Sequence, residues 1–349
     1  MKKTHPEDIV YQGIVIRKHE KRRLRKRRNK VKTFVRSKKN TITAPSILCL
    51  YSKNKIYNST ILFIKKFAKE VVQNKKKVTI DLSNVNVFTA AAALCIYAEI
   101  CRCKLLRNDK GCIKLIKPTN AEIKEKLTKY GFFSYSCLYA DEDKEISTED
   151  NVIPCMSGEH GDKYIDTVLD LINEAAFSGD IPEFTEQTLF RSLSEAMLNV
   201  WHHAYDGDFV DKDEVEKIGK RWWIMGERID NQLYIVIYDR GAGVPVTLPK
   251  KYKKEMILSV LQKISIMDMN DSNMILAAME LGRTRTGKSE RGKGLQDVRR
   301  FVEINPSGTL RIYSNKGEYL YRNKSKEEIT KNHGLSIKGT LIQWNVKIH

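Results

Sequence analysis

Glu195, Asn199 and His203 stand four residues apart in LSEAMLNVWHHAYDG (193–207). On a helix that spacing stacks a carboxylate, an amide and an imidazole on one face. Leu189, Leu193, Ala196, Met197 and Val200 fall on another face, the one such a helix buries. Taken alone, the stripe reads as a solvated polar face; two glycine motifs downstream in the chain give it chemistry. A strand-like run, QLYIVIYD, ends in Asp239 and continues into Gly241 and Gly243. Two glycines around one residue make a tight turn with little bulk. A purine ring can lie against such backbone while the Asp239 carboxylate accepts a hydrogen bond from its exocyclic amine. Further on, GRTRTGKSERGKGLQDVRRFVE places Gly292, Lys293 and Gly294 directly before an amphipathic helix that buries Leu295, Val298, Phe301 and Val302. Unpaired N–H groups at a helix start, beside Arg291 and Lys293, form an anion site. Each motif by itself has a plain alternative: a common turn, or a flexible glycine loop.

Three segments position these residues. The charge is uneven: 17–39 carries fourteen Lys and Arg against one Glu, a net +13 of the chain's +19, leaving only +6 for the rest. Residues 1–40 therefore read as a basic arm, either a solvated tail or a seeker of polyanions such as nucleic acid. Residues 41–150 alternate strand-like runs (TAPSILCLYS, KKVTIDLSNV, GCIKLIKP) with helical ones (STILFIKKFAKEVVQN, AAALCIYAEICRCKLL, and NAEIKEKLTKYGFF with an Asn cap), which predicts a small α/β domain with a mostly parallel sheet. An acidic stretch, ADEDKEISTEDN, reads as a linker. Residues 151–349 open on the helical DKYIDTVLDLINEAA and become β-rich, with RWWIMGERID and QLYIVIYD as paired strands turning near Asn231.

Apolar residues make up 41% and charged residues 30% of the 349, ordinary for a protein with real cores. No apolar run approaches the roughly 20 residues of a membrane span, and MKKTHPEDIVYQG lacks a signal-peptide core, so a cytoplasmic location is expected. The seven cysteines, scattered and mostly in apolar context, read as reduced thiols. Cys95, Cys101, Cys103 and Cys112 cluster without a CxxC pair or a histidine among them, which is not zinc spacing.

The four elements of the C-terminal half occur in the order and context of the GHKL (Bergerat-fold) ATPases, and residues 160–349 resemble that family. Its pattern is a Glu-x3-Asn-x3-His helix, Asp-x-Gly-x-Gly, a mobile lid, Gly-x-Gly before a helix, and a Gly-Thr strand, here Gly339-Thr340 in KGTLIQWNV. The resemblance implies a two-layer α/β sandwich (α+β), binding of Mg²⁺-ATP, and specific roles. Asn199 would ligate Mg²⁺ through its amide oxygen, and Glu195 would orient or deprotonate the attacking nucleophile. Asp239 would read adenine with support from Thr340. His203, in the HAY ending of the anti-sigma-kinase-like branch, would be structural. Arg291 and Lys293, with Arg283, Arg285 and Lys288 of a lid at about 246–290, would neutralise the triphosphate.

Residues 45–137 in turn resemble the STAS family. Asp81-Leu82-Ser83 matches its strand end, while Phe88 is followed by Thr89 and Ala90 to Ala93, so the family's phosphorylatable serine falls on an alanine. That implies a docking or assembly module without its phospho-switch. The chain ends soon after Thr340, so no transducer domain like that of topoisomerases is expected. His160, flanked by glycine, makes a poor phosphoacceptor.

Three functions are compatible with these resemblances: an ATP-hydrolysing regulatory switch, an anti-sigma-type Ser/Thr kinase acting on a STAS-like protein partner, or an ATP-gated nucleic-acid-binding regulator or defence component using the 17–39 arm. Family members often pair through their ATPase domains, which implies a homodimer.

Overall fold

A computed structural model describes residues 40–51, 54–133, 138–139, 151–159, 164–207, 209–284 and 294–348, with only the backbone course at 138–139 and 283–284. The basic arm, most of the acidic stretch, His160, Arg285, Lys288, Arg291, Gly292, Lys293 and the Arg283 side chain lie outside the described residues.

The chain is mixed α/β. Its first part sets strands β1 (Thr41–Thr43), β3 (Val78–Asp81) and β5 (Ile113–Ile116) in one parallel sheet, with β2 (Ile47–Leu48) and β4 (Val87–Phe88) as a small parallel pair. Between them run α1 (Asn54–Ala68), which continues into a π turn at Lys69–Gln73, then α2 (Ala90–Arg107) and α3 (Ala121–Lys129). Asn120 caps α3 as its position predicts, its side chain accepting the Ile123 N–H at 3.1 Å. Helix α2 is buried along most of its length, which its almost uniformly apolar sequence requires.

The second part builds one eight-stranded sheet in the order β12-β11-β10-β13-β9-β8-β7-β6. These strands are β6 (Leu138–Tyr139), β7 (Val152–Gly158), β8 (Trp222–Ile229), β9 (Gln232–Asp239), β10 (Thr309–Ser314), β11 (Gly317–Arg322), β12 (Glu327–Asn332) and β13 (Thr340–Lys347). Every pairing is antiparallel except β6 with β7. Helices α4 (Ile165–Phe177), α5 (Glu183–Asn199) and α10 (Leu295–Glu303) pack on one face; α6 (Lys212–Ile218) lies against α2.

Side chains alternate across a strand, so a sheet buried on one side shows one apolar set. Here both sets are apolar. Trp222, Ile224, Leu233, Ile235 and Ile237 join the core under α4, α5 and α10. Trp223, Met225, Val236 and Tyr238 join a core that also holds Ile96, Ile100 and Phe132 from the first part. The helices and sheet of 151–349 make two layers, and α2 covers the other face of the sheet as a third. The first core therefore runs across the acidic stretch rather than stopping there.

The described part of the 246–290 stretch is helical: α7 (Val244–Lys251), α8 (Lys254–Lys263) and α9 (Asp271–Thr284) share a small core of Leu248, Ile257, Leu261, Ala277 and Leu281. Cys49, Cys95, Cys103, Cys112 and Cys155 are free and buried, but Cys101 is disulfide-bonded. That corrects the reading of all cysteines as reduced thiols. No helix among the described residues is long and apolar enough to cross a membrane.

Candidate functional site

Helix α5 places Glu195 and Asn199 one turn apart, and they meet: the Asn199 amide N–H donates to Glu195 Oε1 at 3.0 Å. The amide oxygen of Asn199, the atom that suits a hard cation, is left for another partner. Leu189, Leu193, Ala196, Met197 and Val200 are buried as their spacing predicts. Beyond Asn199 the helix widens into a π turn, Val200–Ala204. Such single turns occur often at functional sites. Here it ends by bringing the Ala204 carbonyl to the Ala242 N–H at 2.6 Å, clamping the glycine loop after β9. A Cβ on Gly241 would overlap that same carbonyl, so only glycine fits there.

Asp239 ends β9 with 6% of its surface exposed. Its Oδ1 accepts the Gly241 N–H at 2.7 Å, and the Thr340 N–H also bonds to the carboxylate. Burial pushes its pKa up to about 7, against the lowering effect of those N–H groups and of Arg240. The Thr340 N–H reaches Asp239 because Gly339 has φ +85° and lies so close that a Cβ would overlap the Asp239 carbonyl. The Thr340 hydroxyl sits 3.0 Å from Ser314 Oγ, which also accepts the Val244 N–H at 2.8 Å.

These groups converge on one pocket of about 840 Å³, its open mouth included. Of the residues singled out by sequence, Asn199, His203, Asp239, Gly243, Gly294, Leu295 and Thr340 line it. Glu195 stands at its edge: a Cβ on Gly294 would be 3.7 Å from Glu195 Oε1. Gly241 instead lines the neighbouring cleft. Burial raises the Glu195 pKa, as does the Asp297 charge, while the Asn199 hydrogen bond and Lys251 lower it. The His203 pKa is lowered by burial, then by Lys251 and His202, which favours a neutral ring at pH 7.

Sequence reasoning missed one wall. Val244, Thr247, Leu248 and Lys251 of α7, with Ala278 of α9, complete the pocket. These side chains are mostly apolar, and Lys251 adds a cation beside Glu195 and His203. The signal was Val244-Pro245 directly after Gly243, since proline favours the first helical turn.

The residues suit a purine nucleotide. A buried carboxyl touching only neutral donors matches an exocyclic amine, and apolar walls match a ring. Among the described residues no three His, Cys, Asp or Glu side chains form a metal-ligand set. A Mg²⁺ ion here would take most ligands from water and phosphate, with Asn199 as the protein oxygen.

No family model matches this chain, and no curated protein matches it.

Proposed function

We propose that this chain is a GHKL-type ATPase with a STAS-like module in front: a regulatory switch that binds Mg²⁺-ATP in the Asp239 pocket and hydrolyses it. The observation that carries this reading is the buried Asp239 carboxyl, held by the Gly241 and Thr340 N–H groups and open to the pocket that Asn199 also lines. In it, Asp239 would take the adenine amine, and Asn199 would hold a magnesium ion that offsets phosphate charge. Glu195 orients or deprotonates the attacking nucleophile, where positioning supplies most of the acceleration. Lys251 joins Arg291 and Lys293 in balancing the phosphate charge.

The nucleotide loop is tied to the STAS-like module. Arg240 lies between Asp239 and Gly241, and its Nη1 bonds Glu99 Oε2 of α2 at 2.7 Å. Any shift of the loop on binding or hydrolysis bears directly on that module, which supports a switch whose nucleotide state alters partner contacts. ATP labelled on its terminal phosphate separates hydrolysis from kinase action: labelled free phosphate supports the switch, and label on a STAS-like protein supports the kinase.

Recognition of the exocyclic amine has a direct test. Inosine triphosphate puts a carbonyl oxygen where adenine has its amine, so Asp239 would face an acceptor instead of a donor. At pH 8, where Asp239 is ionised, it is expected to bind at least about tenfold more weakly than ATP, as one lost hydrogen bond to a charged group dictates. Equal affinities by calorimetry would remove Asp239 as the base reader.

The basic arm at 17–39 is proposed to bind nucleic acid. Each phosphate it neutralises releases counterions, so affinity should fall steeply with salt. Phe34 is its one aromatic residue, so base stacking and sequence preference should be slight. Deleting residues 1–40 is expected to cut binding of labelled DNA and RNA sharply and to leave ATP affinity unchanged. Equal nucleic-acid affinity for both chains, or none of the salt dependence, would assign the arm to a protein partner.

A further inference from the structure

Behind the glycine loop, between α1, α2 and the sheet, lies a second cleft of about 2080 Å³, its open mouth included. It is lined by Lys65 and Lys69 of the α1 segment, Arg102 of α2, Arg240 and Lys338, against three acids, Glu99, Asp211 and Glu214. The acids are already engaged. Glu99, 1% exposed, takes Arg102 at both oxygens (2.7 and 3.0 Å) and Arg240 at 2.7 Å. Glu214 takes Arg102 Nη1 at 2.7 Å, and Asp211 caps α6 through the Glu214 N–H at 3.2 Å.

The cations are not balanced. Among the described residues, Lys65, Lys69 and Lys338 have no acidic partner within ion-pair distance, and the Arg240 side chain, 9% exposed, has a buried Nε with no hydrogen-bond partner. A buried guanidinium N–H without an acceptor is rare in folded proteins and leaves part of the Arg240 charge uncompensated in the cleft wall. The cations also oppose one another. After burial, Lys338, Lys316 and Arg240 lower the Lys65 pKa; that of Lys338 is lowered by burial and then by Arg240, against the raising effect of Glu99 and Glu214. Like charges held together at the rim of a cavity favour an anion that brings several oxygens at once. Burial would raise the Glu99 pKa, but Arg240 and Arg102 outweigh it and hold the group below its ordinary value, so Glu99 stays charged and fixes both guanidinium planes.

We propose that this cleft is a second ligand site, distinct from the Asp239 pocket, for a small molecule carrying two or more phosphoryl charges. The Lys65 and Lys338 ammonium groups are its anion ligands, with the Arg240 charge in the cleft wall behind them, and Lys69 stands at its entrance. The volume admits more than a free phosphate, and Ile61, Ile64 and Val72 offer apolar surface to the remainder of such a molecule.

The probe is inorganic pyrophosphate, titrated by calorimetry without magnesium into the full chain and two variants. Lys65→Glu/Lys69→Glu puts carboxylates opposite Lys338 and Arg240, away from the Asp239 pocket; Asn199→Ala alters that pocket and leaves the cleft intact. Pyrophosphate is expected to bind the wild type and Asn199→Ala within about twofold of each other. It should bind the double variant at least about tenfold more weakly, as loss of the charge-assisted Lys65 contact requires. Loss in both variants, in neither, or in Asn199→Ala alone overturns the proposal, as does a wild type that binds no pyrophosphate. If thermal melting shows the double variant unfolded, Lys65→Met, which keeps the packed stem, is read by the same criterion. Because pyrophosphate carries no base, the result does not depend on whether Asp239 reads adenine.

Discussion

Glu195→Gln is expected to bind Mg²⁺-ATP as tightly as the wild type and to lose on the order of 10²–10⁴ in turnover, the usual contribution of a positioned acid or base. The substitution keeps the shape and keeps an oxygen to accept the Asn199 N–H now found at 3.0 Å. It removes the charge, and with it the ability to take or orient a proton. Burial and the nearby Asp297 charge raise the Glu195 pKa, which makes it a better base than an exposed glutamate. Asn199→Ala should do the opposite: it deletes the proposed magnesium ligand, so affinity for Mg²⁺-ATP falls. Calorimetry on both variants, with phosphate release measured in parallel, decides the assignment. Normal turnover by Glu195→Gln would end the catalytic role of that residue.

Asp239→Ala is expected to lose at least about a hundredfold in ATP affinity, because it leaves the Gly241 and Thr340 N–H groups and the adenine amine all without an acceptor. The wild type carries a pH signature of the same carboxyl. Its pKa is about 7 in the folded chain against an ordinary 3.8. Between those values the folded protein holds a proton that the unfolded chain has released, so this group's contribution to stability falls as pH rises from about 4 to about 7. A shift of that size corresponds to about 4 kcal/mol at most. The ionised carboxylate accepts the adenine amine more strongly than the protonated carboxyl, so nucleotide binding changes the other way and strengthens over the same interval. Melting temperatures at pH 5.5 and pH 8 check both signs: the rise produced by Mg²⁺-ATP should be larger at pH 8. An equal rise at both would mean that Asp239 does not touch the ligand.

Much of this site was legible because it rests on short-range patterns. The i, i+4 spacing of Glu195 and Asn199 states their contact, and Asn120 announces the start of its helix. The β8–β9 pairing follows from two apolar runs meeting at the turn around Asn231. What stayed hidden depends on distant chain segments. Nothing near Arg240 indicates that it pairs with Glu99, 141 residues earlier, because each residue alone looks like an ordinary surface charge. The π turn at Val200–Ala204 is invisible to a 3.6-residue period; it is imposed by the Ala242 N–H that the Ala204 carbonyl meets. Lys251 was absorbed into a stretch read as a lid. Its helix is defined by packing of Leu248 against Ile257, Ala277 and Leu281 rather than by caps.

The shared core beneath α2 also constrains how such a protein can be inherited. The acidic stretch at 140–151 looks like a seam where recombination could swap one module for another. A crossover there would strip the cover from Trp223, Met225, Val236 and Tyr238 and leave the Arg240 guanidinium without Glu99. Stranding one partner of a buried pair costs about 3–5 kcal/mol, a large part of the margin by which a domain stays folded. Shuffled descendants would be viable only where the incoming module brought its own acid to that helix position and its own apolar face to that sheet. The two halves are therefore bound to travel, and to drift in sequence, as one unit.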